Sequence, residues 1–171
     1  MRLLISLSAC SCAGGGDFKA TVTITNSTVI AEGGGWVEYG AAGIGGGYCG
    51  NASDGKVIIT DSRVTATGGA NAAGIGGGDE DIAYGGEGCD DVQISGNSVV
   101  TAKSRYEDGC AIGHGSTDGH DGNVTFDGRF KVEYGYYGVE NPPALFDKRE
   151  KVCHEHQYVK IQPCDHPMDA G

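Results

Sequence analysis

Short stretches in which apolar and polar residues alternate recur along the chain. The four clearest are Thr21–Thr25, Lys56–Thr60, Asp91–Ser95 and Asn123–Asp127. Alternation with a period of two is typical of a strand that buries one face. Val22, Val57 and Val92 follow one another at intervals of 35 residues, and Val124 comes 32 residues later. The pattern predicts one equivalent strand in each of four repeats.

Turn-forming residues follow each of these strands: Asn26-Ser27, Asp61-Ser62, Gly96-Asn97 and Gly128-Arg129. Such residues favour tight turns because they tolerate left-handed backbone or hydrogen-bond to it locally. After the first three turns come further β-branched stretches, at residues 29–31, 64–67 and 100–102. Each repeat is therefore predicted to contain a second strand directly after the turn.

A glycine-rich block forms the third part of the repeat. Ala-Ala-Gly-Ile-Gly-Gly-Gly occurs at residues 41–47 and again at 72–78, and a degenerate copy occupies 111–115. Ile44, Ile75 and Ile112 are spaced by 31 and 37 residues, and Val139 takes the same place in the last repeat. Self-similarity at this period is the signature of a solenoid. Three short strands per repeat predict a parallel β-helix of four to five coils, which the usual chirality of parallel crossovers makes right-handed.

The repeat divides the chain into three parts. Residues 1–17 are interpreted as a degenerate first coil or N-terminal cap, 18–139 as the β-helix coils, and 140–171 as a C-terminal cap with a Cys/His-rich tail. The first ten residues also resemble a lipoprotein signal that ends at Cys10, but their apolar run is short for that purpose. Asn141-Pro142-Pro143 ends the strand pattern, and no transmembrane segment is predicted.

Composition and charge narrow the classes of partner. The 171 residues suffice for one domain, and with 8% aromatic residues the core must come from aliphatic side chains. A formal charge of −11 argues against direct nucleic-acid binding. Acidity of this size suits cation binding, solubility or imitation of a polyanion. The seven cysteines allow either disulfides, with Cys153 and Cys164 as the favoured pair, or buried thiols and metal ligands.

The combination of G-A-G-I-G-G-G with V-x-I-x-x-x-x-V-x-A resembles the glycine-rich β-helix repeats of bacterial cell-surface proteins. The resemblance covers roughly residues 13–139, and the tail at 158–166 is similar to the segment that follows such repeats. It implies a modular, extracellular or cell-surface protein that binds carbohydrate. No set of catalytic residues comes with it, since fold does not imply function.

Two groups of residues are candidate metal ligands. Acidic residues gather in the loops after the glycine blocks, where hard oxygen ligands in glycine-containing loops suit Ca²⁺. The predicted calcium ligands are Asp79, Asp81, Glu87, Asp90, Asp118 and Asp121. Cys153, His154, His156, Cys164 and His166 in the tail form a weaker candidate for Zn²⁺. The alternatives are a solvated acidic edge for the first group and a disulfide with surface histidines for the second.

A basic stripe is the candidate ligand site. Outward residues of neighbouring coils are expected to stack, which would align cations of the second strands with nearby aromatic rings. The predicted ligand-binding residues are Arg63, Lys103, Arg105, Arg129, Lys131, Tyr106 and Trp36. Uronic-acid polymers could place carboxylates on the cations and sugar rings on the aromatics. The alternative is ordinary charge balance against Glu107 and Glu133.

The glycine strands suggest a further contact. Gly43, Gly45, Gly74 and Gly76 present no side chain, so a flat ligand or another backbone could approach there, the latter to form a homodimer. The alternative is tight packing within a coil.

These observations favour a noncatalytic binding or adhesion module that recognises an acidic polysaccharide at the cell surface. The alternative is a cytoplasmic acidic solenoid that imitates DNA and inhibits a basic nucleic-acid-binding protein. Polysaccharide lyases and hydrolases also use β-helices, but no isolated carboxylate pair on adjacent strands supports an enzyme here.

Overall fold

The computed structural model describes residues 2–4, 21–35, 40–47, 55–79, 91–106, 109–115, 123–135, 144–145 and 156–164. These residues contain fourteen strands and no helix, and therefore no helix that could cross a membrane. In chain order the strands are β1 (Arg2–Leu4), β2 (Thr21–Thr25), β3 (Thr28–Glu32), β4 (Ile44–Gly45), β5 (Lys56–Thr60), β6 (Arg63–Thr67), β7 (Ile75–Gly76), β8 (Asp91–Ser95), β9 (Val99–Lys103), β10 (Ile112–Gly113), β11 (Asn123–Asp127), β12 (Phe130–Gly135), β13 (Ala144–Leu145) and β14 (Tyr158–Pro163).

The strands repeat in threes and stack on their equivalents. The first strands of the coils form one parallel sheet in the order β11-β8-β5-β2, which we call the first sheet. The second strands β3, β6 and β9 lie in a seven-stranded second sheet, and the glycine strands form a third sheet in the order β10-β7-β4. Three coils are complete, and β11 with β12 begins a fourth. The predicted right-handed parallel β-helix is confirmed.

In-register pairing converts the sequence repeat into columns of buried side chains. Val57 pairs with both Val22 and Val92, and Ile59 pairs with both Ile24 and Ile94. Alanine and valine columns in the second sheet and the isoleucine column of the third sheet complete the core. Ile44, Ile75 and Ile112 are each at most 1% exposed. Aliphatic columns supply the burial that the few aromatic residues cannot.

The glycine strands allow neighbouring coils to approach closely. At Gly76, where φ is +139°, an added Cβ would lie 1.8 Å from the carbonyl oxygen of Gly113 in the next coil. Gly45 meets the carbonyl oxygen of Gly76 in the same way, at 2.0 Å. Glycine is required at both positions because the backbone conformation and the space exclude a side chain. Within the chain, packing of coil on coil accounts for these two glycines.

The C-terminal strand departs from the predicted stacking. The repeat predicts that the second strand of the fourth coil, β12, lies beside β9. Instead β14 lies between them and pairs antiparallel with both. Val159 and Ile161 of β14 are fully buried. Part of the 140–171 tail therefore contributes to the core, because its alternating apolar residues fit the columns of the second sheet.

Two short strands complete the second sheet at its ends. β1 pairs in parallel with β3, so part of the 1–17 segment lies next to the first complete coil. β13 pairs antiparallel with β12 at the opposite end. Both edges of this sheet therefore carry an additional short strand, a common way to cover edge strands.

Replacing Gly76 by alanine should destabilise the fold by about 3 kcal/mol or more, since the new methyl group meets rigid backbone. Gly128→Ala is the matched control. Its φ is also positive, at +124°, but its nearest neighbour is Cε2 of the Phe130 ring at 3.5 Å. The control should lose less, about 1–2 kcal/mol, because it carries only the backbone strain of alanine at a positive φ. Urea unfolding of both variants measures the difference, and equal losses would contradict the close approach of the coils.

Candidate functional site

The corner between the first and second sheets is built from residues with positive φ. Asn26 and Asp61 occupy equivalent turns, with φ values of 48° and 47°, and Gly96 follows in the third coil with φ 63°. Left-handed backbone is tolerated by Asn, Asp and Gly and disfavoured for other residues. The turns therefore carry asparagine, aspartate or glycine. These residues are small or polar, and all three are exposed to solvent at the corner.

Stacked serines hold this corner in place. Ser62 Oγ donates to Thr60 O at 2.7 Å and accepts a bond from Ser27 N at 3.1 Å. Ser98 Oγ donates to Ser95 O at 2.6 Å and accepts from Ser62 N at 3.3 Å. Ser62 and Ser98 are buried. Each hydroxyl links its own coil to the preceding one, so hydrogen bonds fix the backbone of the corner in the absence of a ligand.

A groove of about 310 Å³ runs along this corner across three coils. Its lining residues are Asn26, Ser27, Thr28, Asp61, Ser62, Arg63, Asn97 and Val99. We call this feature the corner groove. Arg63 N donates to Ser27 O at 2.9 Å and Val99 N donates to Ser62 O at 2.8 Å, so the backbone of its walls is tied to the neighbouring coil. The corner groove is a preformed, polar and open site.

Charge in the corner groove comes from one cation and one anion. Arg63 is exposed, and no ion pair joins it to an acidic side chain of the described residues. Asp61 Oδ1 accepts a hydrogen bond from Asn97 N at 2.9 Å, which fixes the carboxylate across two coils. A guanidinium binds a carboxylate through two parallel hydrogen bonds. Asp61, Asn26 and Asn97 offer acceptors and donors for hydroxyl groups beside it.

The structure does not bring the predicted basic residues into one row. Arg63 pairs with Val99, whereas Lys103 pairs with Thr67, so the two cations lie at opposite ends of neighbouring strands, roughly 13 Å apart along the strand direction. The inserted β14 places Lys131 two strands, about 10 Å, from the strand that carries Lys103. The predicted stripe is interrupted for two reasons: the cations of β6 and β9 lie at different positions along their strands, and the tail strand β14 separates β9 from β12.

Two of the other predicted ligand residues, Lys131 and Arg105, form ion pairs with acidic side chains of the protein. Lys131 Nζ forms an ion pair with Glu133, whose carboxylate also lies 4.0 Å from Lys160 Nζ. Arg105 lies 3.6 Å from a carboxylate oxygen of Glu32. Charge balance accounts for these pairs. Arg129 is exposed in the turn before β12, and Tyr106 is exposed near the end of β9, while Trp36 lies outside the described residues.

Of the six predicted calcium ligands the structure describes only Asp79, which is 2% exposed and whose backbone N donates to Gly40 O at 2.8 Å. Five lie outside the described residues: Asp81, Glu87, Asp90, Asp118 and Asp121. Asp91, at the edge of the same acidic segment, is paired with Lys56 at 3.0 Å. Within the described ranges, no group of three or more His, Cys, Asp or Glu side chains is placed to hold a metal ion. Calcium at these loops stays a prediction.

The tail contributes His156 and Cys164 to the described residues. The His156 ring packs on the Tyr134 ring, with centroids 4.6 Å apart. The backbone carbonyl oxygen of His156 accepts a hydrogen bond from Ala111 N at 2.6 Å. Cys164 N donates to Arg129 O at 3.1 Å. Cys153, His154 and His166 lie outside the described residues, so neither the zinc nor the Cys153–Cys164 prediction is tested.

A buried Cys–His pair escaped the sequence analysis. Cys110 and His114 occupy the positions of Ala73 and Gly77 in the preceding glycine block. Ala73 N donates to Gly77 O, and Cys110 N donates to His114 O, so the same loop closure occurs in both coils. Here it brings Cys110 Sγ to 3.4 Å from His114 Nε2, with both side chains buried. The signal was present in two of the four substitutions that make the third block, residues 109–115, degenerate.

The two side chains should be energetically coupled. Cys110→Ala and His114→Ala are each expected to lower the free energy of unfolding. The loss in the double variant should be about 1 kcal/mol smaller than the sum of the two single losses, because either single substitution already removes the contact. Denaturant unfolding of the four proteins measures this coupling. A control cycle combines Cys110→Ala with Thr125→Ala, which is exposed on the first sheet. That cycle should be additive, and additivity in the first cycle would contradict the contact.

Comparison with known families agrees with the geometry. Two segments, residues 22–48 and 57–79, match the family described as Beta helix repeat. They coincide with the first two complete coils and include Asn26, Asp61 and Arg63 of the corner groove. Neither the curated proteins nor the solved structures provide a match to the chain. The matched segments and the observed coils together show that this chain carries β-helix repeats.

Proposed function

We propose that the chain is a noncatalytic binding module that recognises an acidic polysaccharide in the corner groove. The observation that carries the proposal is Arg63, an exposed guanidinium set among hydrogen-bonding side chains and without an ion-pair partner in the described part of the chain. A uronic acid supplies the matching chemistry, since it combines a carboxylate with several hydroxyl groups. Arg63 would bind the carboxylate, and Asp61 with Asn97 would bind hydroxyls.

The shape of the corner groove supports a polymeric ligand. The groove is open and crosses three coils, which stack about 4.8 Å apart, so polar groups from successive coils line it along the solenoid axis. Asn26, Asp61 and Asn97 come from successive coils. A chain of sugars running along the axis would meet a hydrogen-bonding side chain in each of the three coils. The hydrogen-bonded serine corner supports binding without rearrangement, which lowers the entropic cost.

The proposal is for binding without catalysis. Hydrolysis of a glycosidic bond by the usual route needs two carboxylates on either side of the bond. Asp61 is the single carboxylate among the described lining residues, and it is held by Asn97 N. An extracellular or cell-surface location follows from this proposal, since acidic polysaccharides are found there.

The imitation of DNA is the second candidate, and its support is the formal charge of −11. A DNA mimic needs a row of unneutralised carboxylates. Asp91, on the outward face of the first sheet, is instead paired with Lys56. We therefore favour the polysaccharide.

Binding of a polygalacturonate oligomer tests the proposal by calorimetry. Arg63→Gln should weaken binding by roughly 10- to 100-fold, because a charge-assisted hydrogen bond contributes about 1.5–3 kcal/mol. Arg129→Gln is the matched control, since Arg129 is also exposed but is not among the groove's lining residues. Esterified oligomer, which has no carboxylate charge, should bind as weakly as the Arg63 variant does.

Equal losses in the two arginine variants, or no binding of the acidic oligomer, would rule out this site. Repeating the titration with EDTA tests calcium separately. Retained affinity in chelator would show that the corner groove acts without the predicted calcium ligands. Capture of a basic nucleic-acid-binding protein in place of the glycan would favour the second candidate.

A further inference from the structure

The second sheet contains one strand that the repeat does not require. In the first sheet the fourth coil lies directly on the third, with β11 paired to β8. In the second sheet the same two coils are separated by β14. In the second sheet, the third and fourth coils are therefore separated by the width of one strand. We call the space between β9 and β12 the slot, and β14 occupies it.

The inserted strand keeps the register of the columns on both sides. Ile161 pairs with Val100 on one side and Val132 on the other, and Val159 lies in the same way between Ala102 and Tyr134. Val132 follows Val100 by 32 residues, the same offset that relates Val124 to Val92 in the first sheet. Removal of β14 would therefore let β12 pair with β9 in the register of the repeat. A packing of this kind would keep the same core columns.

Recognition of β14 rests mainly on its backbone and on two apolar side chains. It forms antiparallel ladders along both neighbours, as a strand does in β-strand addition. Val159 and Ile161 are fully buried, and Lys160 faces Glu133 with Nζ 4.0 Å from the carboxylate. Any molecule that presents Tyr-Val-Lys-Ile-Gln-Pro in an extended form carries what the slot recognises, and a second copy of this chain is such a molecule.

We propose that β14 is exchangeable and that the slot between β9 and β12 accepts this strand from a second copy of the chain. Ten residues, 146–155, lie between β13 and His156, whose carbonyl oxygen accepts a hydrogen bond from Ala111 N. A chain of ten residues spans at most about 35 Å when fully extended, a length that allows it to cross to a neighbouring molecule. Exchange forms the same contacts as the closed monomer, so it needs no new interface. While no strand occupies the slot, pairing of β12 with β9 would keep the core columns covered from water.

Two differently tagged forms of the full chain test the proposal. They are unfolded together in urea with a reductant, refolded at high concentration and passed over both affinity resins, and the product is weighed by light scattering. Mixed-tag dimers are expected. Ile161→Asp, which places a charge in the core column, should reduce their yield at least tenfold. Gln162→Asp in the same strand but on its partly exposed side should leave the yield unchanged.

A second arm covers the case in which the Ile161 variant does not fold. Excess synthetic peptide with the sequence of residues 158–163 is added to the wild-type forms during refolding, and it should lower the dimer yield by occupying the slot. Refolding to monomers alone would overturn the proposal. A dimer yield that neither the peptide nor Ile161→Asp lowers would also overturn it, because the copies would then associate through another surface.

Discussion

In-register hydrogen bonding between equivalent strands is the constraint on which this molecule depends. Once β5 lies beside β2 and β8 in register, each residue faces its equivalents in the coils above and below. Apolar residues then form buried columns, and glycine is needed wherever the next coil's backbone leaves no space, as at Gly76. The close approach of the glycine strands and the aliphatic columns are two results of one periodicity.

The same stacking creates the candidate site. A turn that needs left-handed backbone admits mainly Asn, Asp and Gly, and stacking aligns Asn26 with Asp61 along the corner. Buried serines beneath these turns satisfy backbone hydrogen-bonding groups: the Ser62 hydroxyl donates to Thr60 O and accepts from Ser27 N. A ladder of small polar residues results, with Arg63 at the start of the adjacent strand. The proposed ligand, a polymer of uronic acids, offers hydroxyl groups to these polar side chains and carboxylates to Arg63.

The parts of the fold that the sequence predicts are those that repeat. The 35-residue offset between Val57 and Val92 sets which strands pair, and the isoleucine spacing locates the third sheet. The position of β14 was not predictable, because a single antiparallel strand has no second copy to reveal its partners. Its insertion also places β12, which carries Lys131, one strand farther from β9 than periodicity alone would. The Cys110–His114 contact depends on loop closure, a feature that strand patterns do not report.

Methyl-to-methyl nuclear Overhauser contacts in isoleucine-labelled protein test the stacking most directly. Coils about 4.8 Å apart place the side chains of one column within range of each other. We expect cross-peaks from Ile75 to both Ile44 and Ile112, and from Ile59 to both Ile24 and Ile94, residues that are 31 to 37 positions apart in sequence. A folded protein in which these cross-peaks are missing, and isoleucine contacts link only sequence neighbours, would contradict the stacked coils.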